Sequence, residues 1–331
     1  DAIPLYSTLT VYLLITNYIP FLSFPLLPNH SLSPSTSKMD KVAGGVALLN
    51  TGHYIPLVGL GTYKILGDQV SPAVDAALGA GYRLFDTAKY YKNEEELGAA
   101  LEEQLPRHNL NRADIFLTTK FFPAGNEWAA DARNQVEQSL KNLRTNYLDL
   151  VLIHYPKSDD RENGDPVNEI ARRDIYVELE KMKEEGVIRS VGVSNYEARH
   201  LAEIRSFGKE MPAVNQVEFH PHFTREEIRS FCKENGIFFQ AFTSLGRQHP
   251  DLIGDEDVVS IADAHKTTPQ LILLSWAVHL GVGVVPKSST PSRVIDNFGL
   301  ISIKLSDDEV TRLSGKNRTK NYTRCDGWNV Q

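Results

Sequence analysis

Side chains capable of acid–base chemistry stand at or just beyond the ends of apolar runs. Asp86 closes YRLFD (82–86), with Tyr90 and Tyr91 just beyond it; Lys120 closes IFLTTK (115–120); His154 lies within DLVLIHY (149–155). Each has an ordinary use alone: an Asp caps turns, a Lys can be a solvated strand end, a His can be a satisfied core residue. Together, an acid, a cation, an imidazole and a phenol make a set suited to delivering a proton to a carbonyl oxygen. A phenol with a free pKa of about 10 is a poor acid near neutrality. A neighbouring ammonium stabilises the phenolate and lowers that pKa, a carboxylate would hold the ammonium in place, and an imidazole donor can orient the carbonyl. None of these groups supplies a hydride, so a redox reaction here requires a cofactor.

Such a set needs a scaffold that presents several strand ends together. Besides the three runs above, strand-like stretches occur at 55–60 (IPLVGL), 190–194 (SVGVS), 213–217 (AVNQV), 237–242 (IFFQAF) and 282–286 (VGVVP). Most are continuously apolar, as expected of parallel strands buried on both faces. Apolar residues recur at helical spacing over 94–105, 131–144, 172–185, 224–235 and 269–280. Ser71-Pro72 reads as an N-cap with proline at the first helical position, Gly81 follows that helix, and Gly186, Gly208, Gly236 and Gly281 punctuate later ones. Strands alternating with helices predict an α/β fold, a single (β/α)8 TIM barrel, with a doubly wound sheet as the alternative. A barrel gathers its site at the C-terminal strand ends, which adds Ser194-Asn195, Asn215-Gln216, Phe242-Thr243 and Lys287-Ser288 to the set.

Composition bounds the function classes. The chain has 331 residues and a net charge of −7, with no basic footprint for nucleic acid. Two cysteines, Cys232 and Cys325, are too few for a disulfide framework or a structural zinc site, so a reducing compartment is expected. Residues 1–38 differ from the rest: Asp1 and Lys38 are their only formal charges, and they hold 5 of the 17 prolines. Leu9–Pro28 is apolar and near membrane-span length, but a basic n-region is missing and the first Met is Met39. The expectation is an extension outside the fold, with a signal or an anchor as alternatives and the barrel domain over 39–331.

An anion site is expected at Lys287-Ser288-Ser289-Thr290-Pro291-Ser292-Arg293, where a cation and hydroxyls precede a new helix with an Arg in its first turn. Gly59-Leu60-Gly61 could begin a dinucleotide fingerprint, but Lys64 occupies the third glycine position and no helix signal opens there, so the Rossmann reading fails.

The motifs GYRLFDTAKYYKNEEELG (81–98), LDLVLIHYP (148–156), GVIRSVGVSNY (186–196) and VVPKSSTPSRVIDN (284–297) make the chain resemble the aldo-keto reductase family from about Gly59 to Asn297. The resemblance implies an NADPH-dependent reductase of aldehyde or ketone carbonyls. Tyr91, not Tyr90, would be the general acid, with Lys120 and Asp86 as its supporting pair and His154 orienting the carbonyl. Ser194, Asn195 and Gln216 match positions that grip the nicotinamide carboxamide, and Phe242 one that stacks on its ring, where many relatives carry Tyr. Lys287, Ser288 and Arg293 match binders of the adenosine 2′-phosphate, which favours NADPH over NADH. Asn297 matches an adenine contact, and Gly61, Thr62, Thr243 and Leu245 further cofactor contacts. Tyr63, Phe122 and Tyr155, with His154, would face the substrate; many relatives have Trp after the histidine.

Further expectations follow from the same reading: a small-molecule carbonyl substrate, a monomer, a cytoplasmic location, and no nucleic-acid or membrane partner. A prostaglandin-type endoperoxide or ketone reductase, and a non-catalytic NADPH-binding regulatory or structural protein on the same barrel, are the alternatives. The C-terminal stretch 315–331 is short for the family and suggests an open pocket for small aldehydes or dicarbonyls. His220 and His222 form an H-x-H pair without a further ligand at metal spacing, so no metal is expected. Asn29, Asn317 and Asn321 each begin a glycosylation tripeptide, which matters only in a secreted protein.

Overall fold

A computed structural model describes residues 41–158, 160–323 and 327–331; the apolar extension 1–38, Asn29 and Cys325 lie outside the described residues. An antiparallel hairpin comes first, β1 (Val46–Leu48) against β2 (Tyr54–Pro56). Then follow β3 (Gly59–Gly61), β4 (Leu84–Asp86), β5 (Phe116–Phe121), β6 (Leu148–Ile153), β7 (Ile188–Ser194), β8 (Val214–Glu218), β9 (Phe238–Phe242) and β10 (Gly283–Val284). These eight pair in parallel, each with its neighbour in sequence. Parallel bridges Val58–Val284 and Gly61–Lys287 bring the β3 and β10 edges together, so the sheet curls into a nearly closed barrel.

The helices of the outer layer are α1 (Val70–Ala80), α2 (Glu94–Arg107), α3 (Trp128–Asn142), α4 (Val167–Glu184), α5 (Ala198–Ile204) and α6 (Glu226–Glu234). They continue with α7 (Pro250–Ile253), α8 (Glu256–Ala264), α9 (Pro269–His279), α10 (Pro291–Phe298) and α11 (Asp307–Ser314). Among the described residues, no helix is long and apolar enough to cross a membrane.

β6 shows why the strands read as unbroken apolar runs. Leu150 and Leu152 point into the barrel with Leu84, Phe116, Val214 and Val285, while Val151 and Ile153 pack outward in the cluster beneath the helices. Both faces are therefore dry, and each fully buried Leu or Ile contributes about 1.5–3 kcal/mol. Asp149 interrupts the run, and it is buried only because it is paired. It accepts from Leu117 N at 3.0 Å and from the guanidiniums of Arg112 and Arg189 at 2.7 and 2.9 Å. The hairpin closes the N-terminal end: Leu49 and Ile55 join the interior cluster, and Asn50 Nδ2 donates to Met211 O at 2.9 Å.

Several local expectations are corrected. The run 55–60 is not one strand: its first half belongs to the hairpin and its second half starts the barrel. The chain turns between them because the apolar alternation serves two different partners. Ser71 is not an N-cap. Helix α1 begins at Val70 behind Gln69, and Ser71 Oγ instead accepts from Gln104 Nε2 of α2 at 3.0 Å. Gly81 does end α1, at φ 109°, where a side chain would be strained. Helices α5, α7, α8 and α11 lie outside the segments with helical spacing; α11 is marked by a capping box, Ser306 to Glu309, that is readable in the sequence.

His220 and His222 serve the C-terminal segment. His220 Nε2 lies 3.0 Å from Glu218 Oε1; His222 bonds Tyr322 Oη at 2.8 Å and Asp255 Oδ2 at 3.2 Å. Glu218 also accepts from the backbone N–H groups of Tyr322 and Thr323, so residues 316–323 are tied to the end of β8.

Candidate active site

β4 delivers Asp86 and β5 delivers Lys120 to one barrel end, where the ammonium donates to Asp86 Oδ1 at 2.6 Å and to Thr87 O at 2.8 Å. Both side chains are withdrawn from solvent, 1% exposed for the lysine and 3% for the aspartate. Burial pulls the Lys120 pKa below its ordinary value while Asp86 acts in the opposite direction. A single-turn 3-10 helix, Lys89–Tyr91, follows β4 and sends two adjacent phenols in different directions. Tyr91 is the one turned inward, its ring centre 4.9 Å from Lys120 Nζ, while Tyr90 is 56% exposed at the rim. Asn93 fastens this turn: its Nδ2 donates to Thr62 O and Ile65 O, both at 2.8 Å, and its Oδ1 accepts from Thr87 Oγ1 at 2.7 Å.

His154 follows β6, with its ring centre 5.9 Å from that of Tyr91 and stacked on Phe122 at 4.4 Å. Burial, and then the Lys120 ammonium, hold its pKa well below the usual histidine value. The imidazole is therefore neutral, with one N–H to donate. Its Nδ1 is buried without a hydrogen-bond partner among the described residues. Tyr63 lies on the other side of Tyr91 at 5.1 Å, and Phe122 meets Tyr90 at 5.5 Å and Tyr155 at 6.3 Å. Tyr63 thus packs on Tyr91, Phe122 on His154 and Tyr155 on Phe122, and all three are half-buried.

β7 and β8 supply a second group. Asn195, in the left-handed region at φ 61°, donates from Nδ2 to His154 O at 3.0 Å and to Ser194 Oγ at 3.1 Å. Ser194 Oγ donates to Gln216 O at 2.7 Å. Gln216 donates from Nε2 to Asp86 Oδ2 at 2.8 Å and to Gln240 Oε1 at 2.7 Å. Both amide nitrogens are spent on the protein, which leaves Asn195 Oδ1 and Gln216 Oε1 as acceptors. Two acceptors beside the tetrad suit the NH2 of a carboxamide.

Thr62 caps β4 by donating to Asp86 O at 2.9 Å. At Gly61, an added Cβ would meet Val285 O at 2.5 Å, so only glycine lets the strand edges close here. Thr243, just after Phe242, holds φ 52° despite its β-branch, a strained conformation that functional loops often carry. Its carbonyl accepts from Gly246 N at 2.8 Å, and that of Leu245 accepts from Gln248 N at 2.8 Å.

The proposed anion segment lies where β10 leads into α10. Lys287 and Arg293 are exposed; Arg293 and Asn297 sit four residues apart on one face of α10. Desolvation, and then the charge of Lys64, lower the Lys287 pKa, so a second cation acts on the segment. Lys64 entered the sequence reading only as a missing glycine; its charge beside Gly61 was the available signal. Ser288 is turned onto its own loop, accepting from Thr290 N at 3.1 Å.

The sequence profile of the Aldo/keto reductase family matches residues 57–318, the whole of the barrel just described. The chain belongs to the aldo/keto reductase family. It is 35% identical over 280 residues to aldose reductase B of Dictyostelium discoideum, covering 80% of this chain and 90% of that protein. With the glyoxal reductase of Bacillus subtilis it shares 34% identity over 276 residues, 82% and 92% of the two chains. Among solved structures, the aldose reductase from Schistosoma japonicum is similar with a TM-score of 0.76 at 34% identity, covering 83% of this chain and 93% of that one. In this aldo/keto reductase, Asn93, Lys64 and Gln240 are the site-region residues that the sequence reading did not single out.

Proposed function

We propose that residues 39–331 are an NADPH-dependent reductase of small aldehydes and ketones, acting as a cytoplasmic monomer. The observation that carries the reading is the buried Lys120–Asp86 pair set against Tyr91, with neutral His154 on the adjacent strand end. When bound, NADPH would supply the hydride that the carbonyl carbon accepts. Tyr91 would deliver the proton to the carbonyl oxygen, with the Lys120 ammonium stabilising the phenolate left behind and Asp86 fixing the ammonium. His154, held neutral, would donate an N–H to the same oxygen without transferring its proton.

Asn195 Oδ1 and Gln216 Oε1 would accept from the carboxamide, Ser194 would position Asn195, and Phe242 would lie along the ring. Gly61, Thr62, Thr243 and Leu245 would shape the walls around the cofactor. Lys287 and Arg293, with Ser288 in the same loop, would meet the 2′-phosphate, and Asn297 would meet the adenine. Tyr63, Phe122 and Tyr155 would enclose an apolar or aromatic substituent next to His154. The reducing compartment in this reading rests on the low cysteine count; burial raises the Cys232 thiol to about 12 and leaves it unreactive.

The test is oxidation of NADPH and of NADH in the presence of a panel of aldehydes, methylglyoxal and aromatic ketones. Turnover with a preference for NADPH is expected. Cofactor binding without turnover across the panel would instead favour a non-catalytic role.

A further inference from the structure

Gln240 is buried in the barrel interior, with an apolar residue on either side of it in β9, and no part of the reaction above requires it to be polar. It is the register partner of Gln216 on β8, and both side chains point into the barrel below the mouth. Their orientations follow from donor–acceptor arithmetic. The Asp86 carboxylate accepts from Lys120 at Oδ1 and can only accept at Oδ2, so the Gln216 group 2.8 Å from Oδ2 is its NH2. The second N–H of that NH2 goes to Gln240 Oε1 at 2.7 Å. Gln240 Nε2 is thereby turned away, and it has no hydrogen-bond partner among the described residues. A buried amide nitrogen without a partner destabilises the fold, so an apolar side chain would serve the interior better. What Gln240 supplies is its oxygen.

We infer that Gln240 is a positioning residue whose amide oxygen locks the Gln216 side chain. In that orientation one end of Gln216 holds Asp86, and the other presents Oε1 to an N–H of the nicotinamide carboxamide. Cofactor seating and the Asp86–Lys120–Tyr91 acid are then mechanically linked through one amide. The inference rests on the NADPH-reductase reading above. Without the Gln240 acceptor, Gln216 can rotate, its grip on Asp86 loosens, and the ammonium supports the Tyr91 phenolate less well. The phenol then titrates at higher pH and is a weaker acid.

Gln240→Met has nearly the same shape and no strong acceptor. Three quantities are measured on the wild-type and Q240M proteins: NADPH affinity by fluorescence quenching, the pH dependence of kcat with a saturating aldehyde, and urea unfolding. Q240M is expected to bind NADPH about 5-fold more weakly, the effect of one lost neutral hydrogen bond. Its kcat should fall, with the alkaline limb of the profile moved to higher pH. Unchanged affinity and an unmoved alkaline limb, whatever happens to stability, would overturn the inference while leaving the reductase reading intact. A wild-type protein that neither binds NADPH nor turns over overturns the reading, and the inference with it. Should Q240M fail to fold, the wild-type side-chain amides decide: the Gln216 NH2 should be protected from exchange, and its NMR signal should shift on adding NADP+. An exchange-labile or unshifted signal would refute the locked orientation.

Discussion

Lys120 Nζ lies 2.6 Å from Asp86 Oδ1 and 4.9 Å from the centre of the Tyr91 ring, so one buried ammonium serves two neighbours. Its position decides both the stability and the chemistry of the barrel mouth. Two charges withdrawn together roughly offset each other's desolvation, whereas either one left alone is destabilising by about 3–5 kcal/mol. Asp86→Leu should therefore lower unfolding stability by an amount of that order, and Lys120→Met should do so comparably. The double variant should lose much less than the sum. Urea unfolding of the three proteins checks this, and strict additivity would show that the pair is not coupled.

Tyr91→Phe removes the hydroxyl proposed to donate the proton and keeps the ring. NADPH affinity should stay within about twofold, while kcat for aldehyde reduction drops on the order of 10³-fold, within the usual range for a positioned acid. Tyr90→Phe should change kcat by less than about twofold, because that phenol is at the exposed rim. Wild-type turnover by the Tyr91 variant would remove the tyrosine from the mechanism.

His154 and His200 are buried as neutral imidazoles, so protonating either works against the fold. Burial and then Lys120 depress the His154 pKa, and burial and then Arg172 depress that of His200 to about 3. His200 Nδ1 accepts from Glu197 N at 3.1 Å, and its Nε2 pairs with Val330 O at 2.9 Å, so the neutral tautomer is already fully used. With folded pKa values below the unfolded value, the unfolded chain binds more protons as pH falls from about 6.5. Stability should thus be fully present at neutral pH and decline below it, each histidine kept neutral in the fold contributing at most about 1.4 kcal/mol per pH unit. His200→Gln should remove that residue's share of the slope. Thermal or urea unfolding between pH 7 and pH 4 measures the decline; a flat profile would contradict the neutral-histidine assignment.

Lys287→Met and Arg293→Ala test the phosphate assignment. Each removes a charged donor worth about 1.5–3 kcal/mol to a bound phosphate, so NADPH affinity should weaken by roughly 10- to 100-fold. NADH affinity should move less than about twofold. Equal weakening of the two cofactors would place the 2′-phosphate elsewhere.

The barrel was legible because its constraints are local and repeated. Strands such as LDLVLI are apolar on both faces but for Asp149, since one face meets the interior and the other the helices. Asp86, Lys120 and His154 were readable too, as polar residues ending apolar runs. Gln240 broke the apolar run 237–242 in plain view, yet its meaning depended on a partner 24 residues away in Gln216. The hairpin hidden in 55–60 was unreadable for a related reason: three-residue strands carry too little periodicity to show where one partner gives way to another.

Residue types, their order and the side of each strand they occupy are written along the chain, because backbone periodicity sets them one element at a time. Which of two adjacent tyrosines meets Lys120, which way the Gln216 amide points, and that the charge of Lys64 acts on Lys287 were decided only by the folded barrel. Each of these depends on donors, acceptors and charges brought together from strands or loops far apart in sequence. Hydrogen bonds and desolvation act over a few ångströms of space, and no spacing along a single strand encodes that distance.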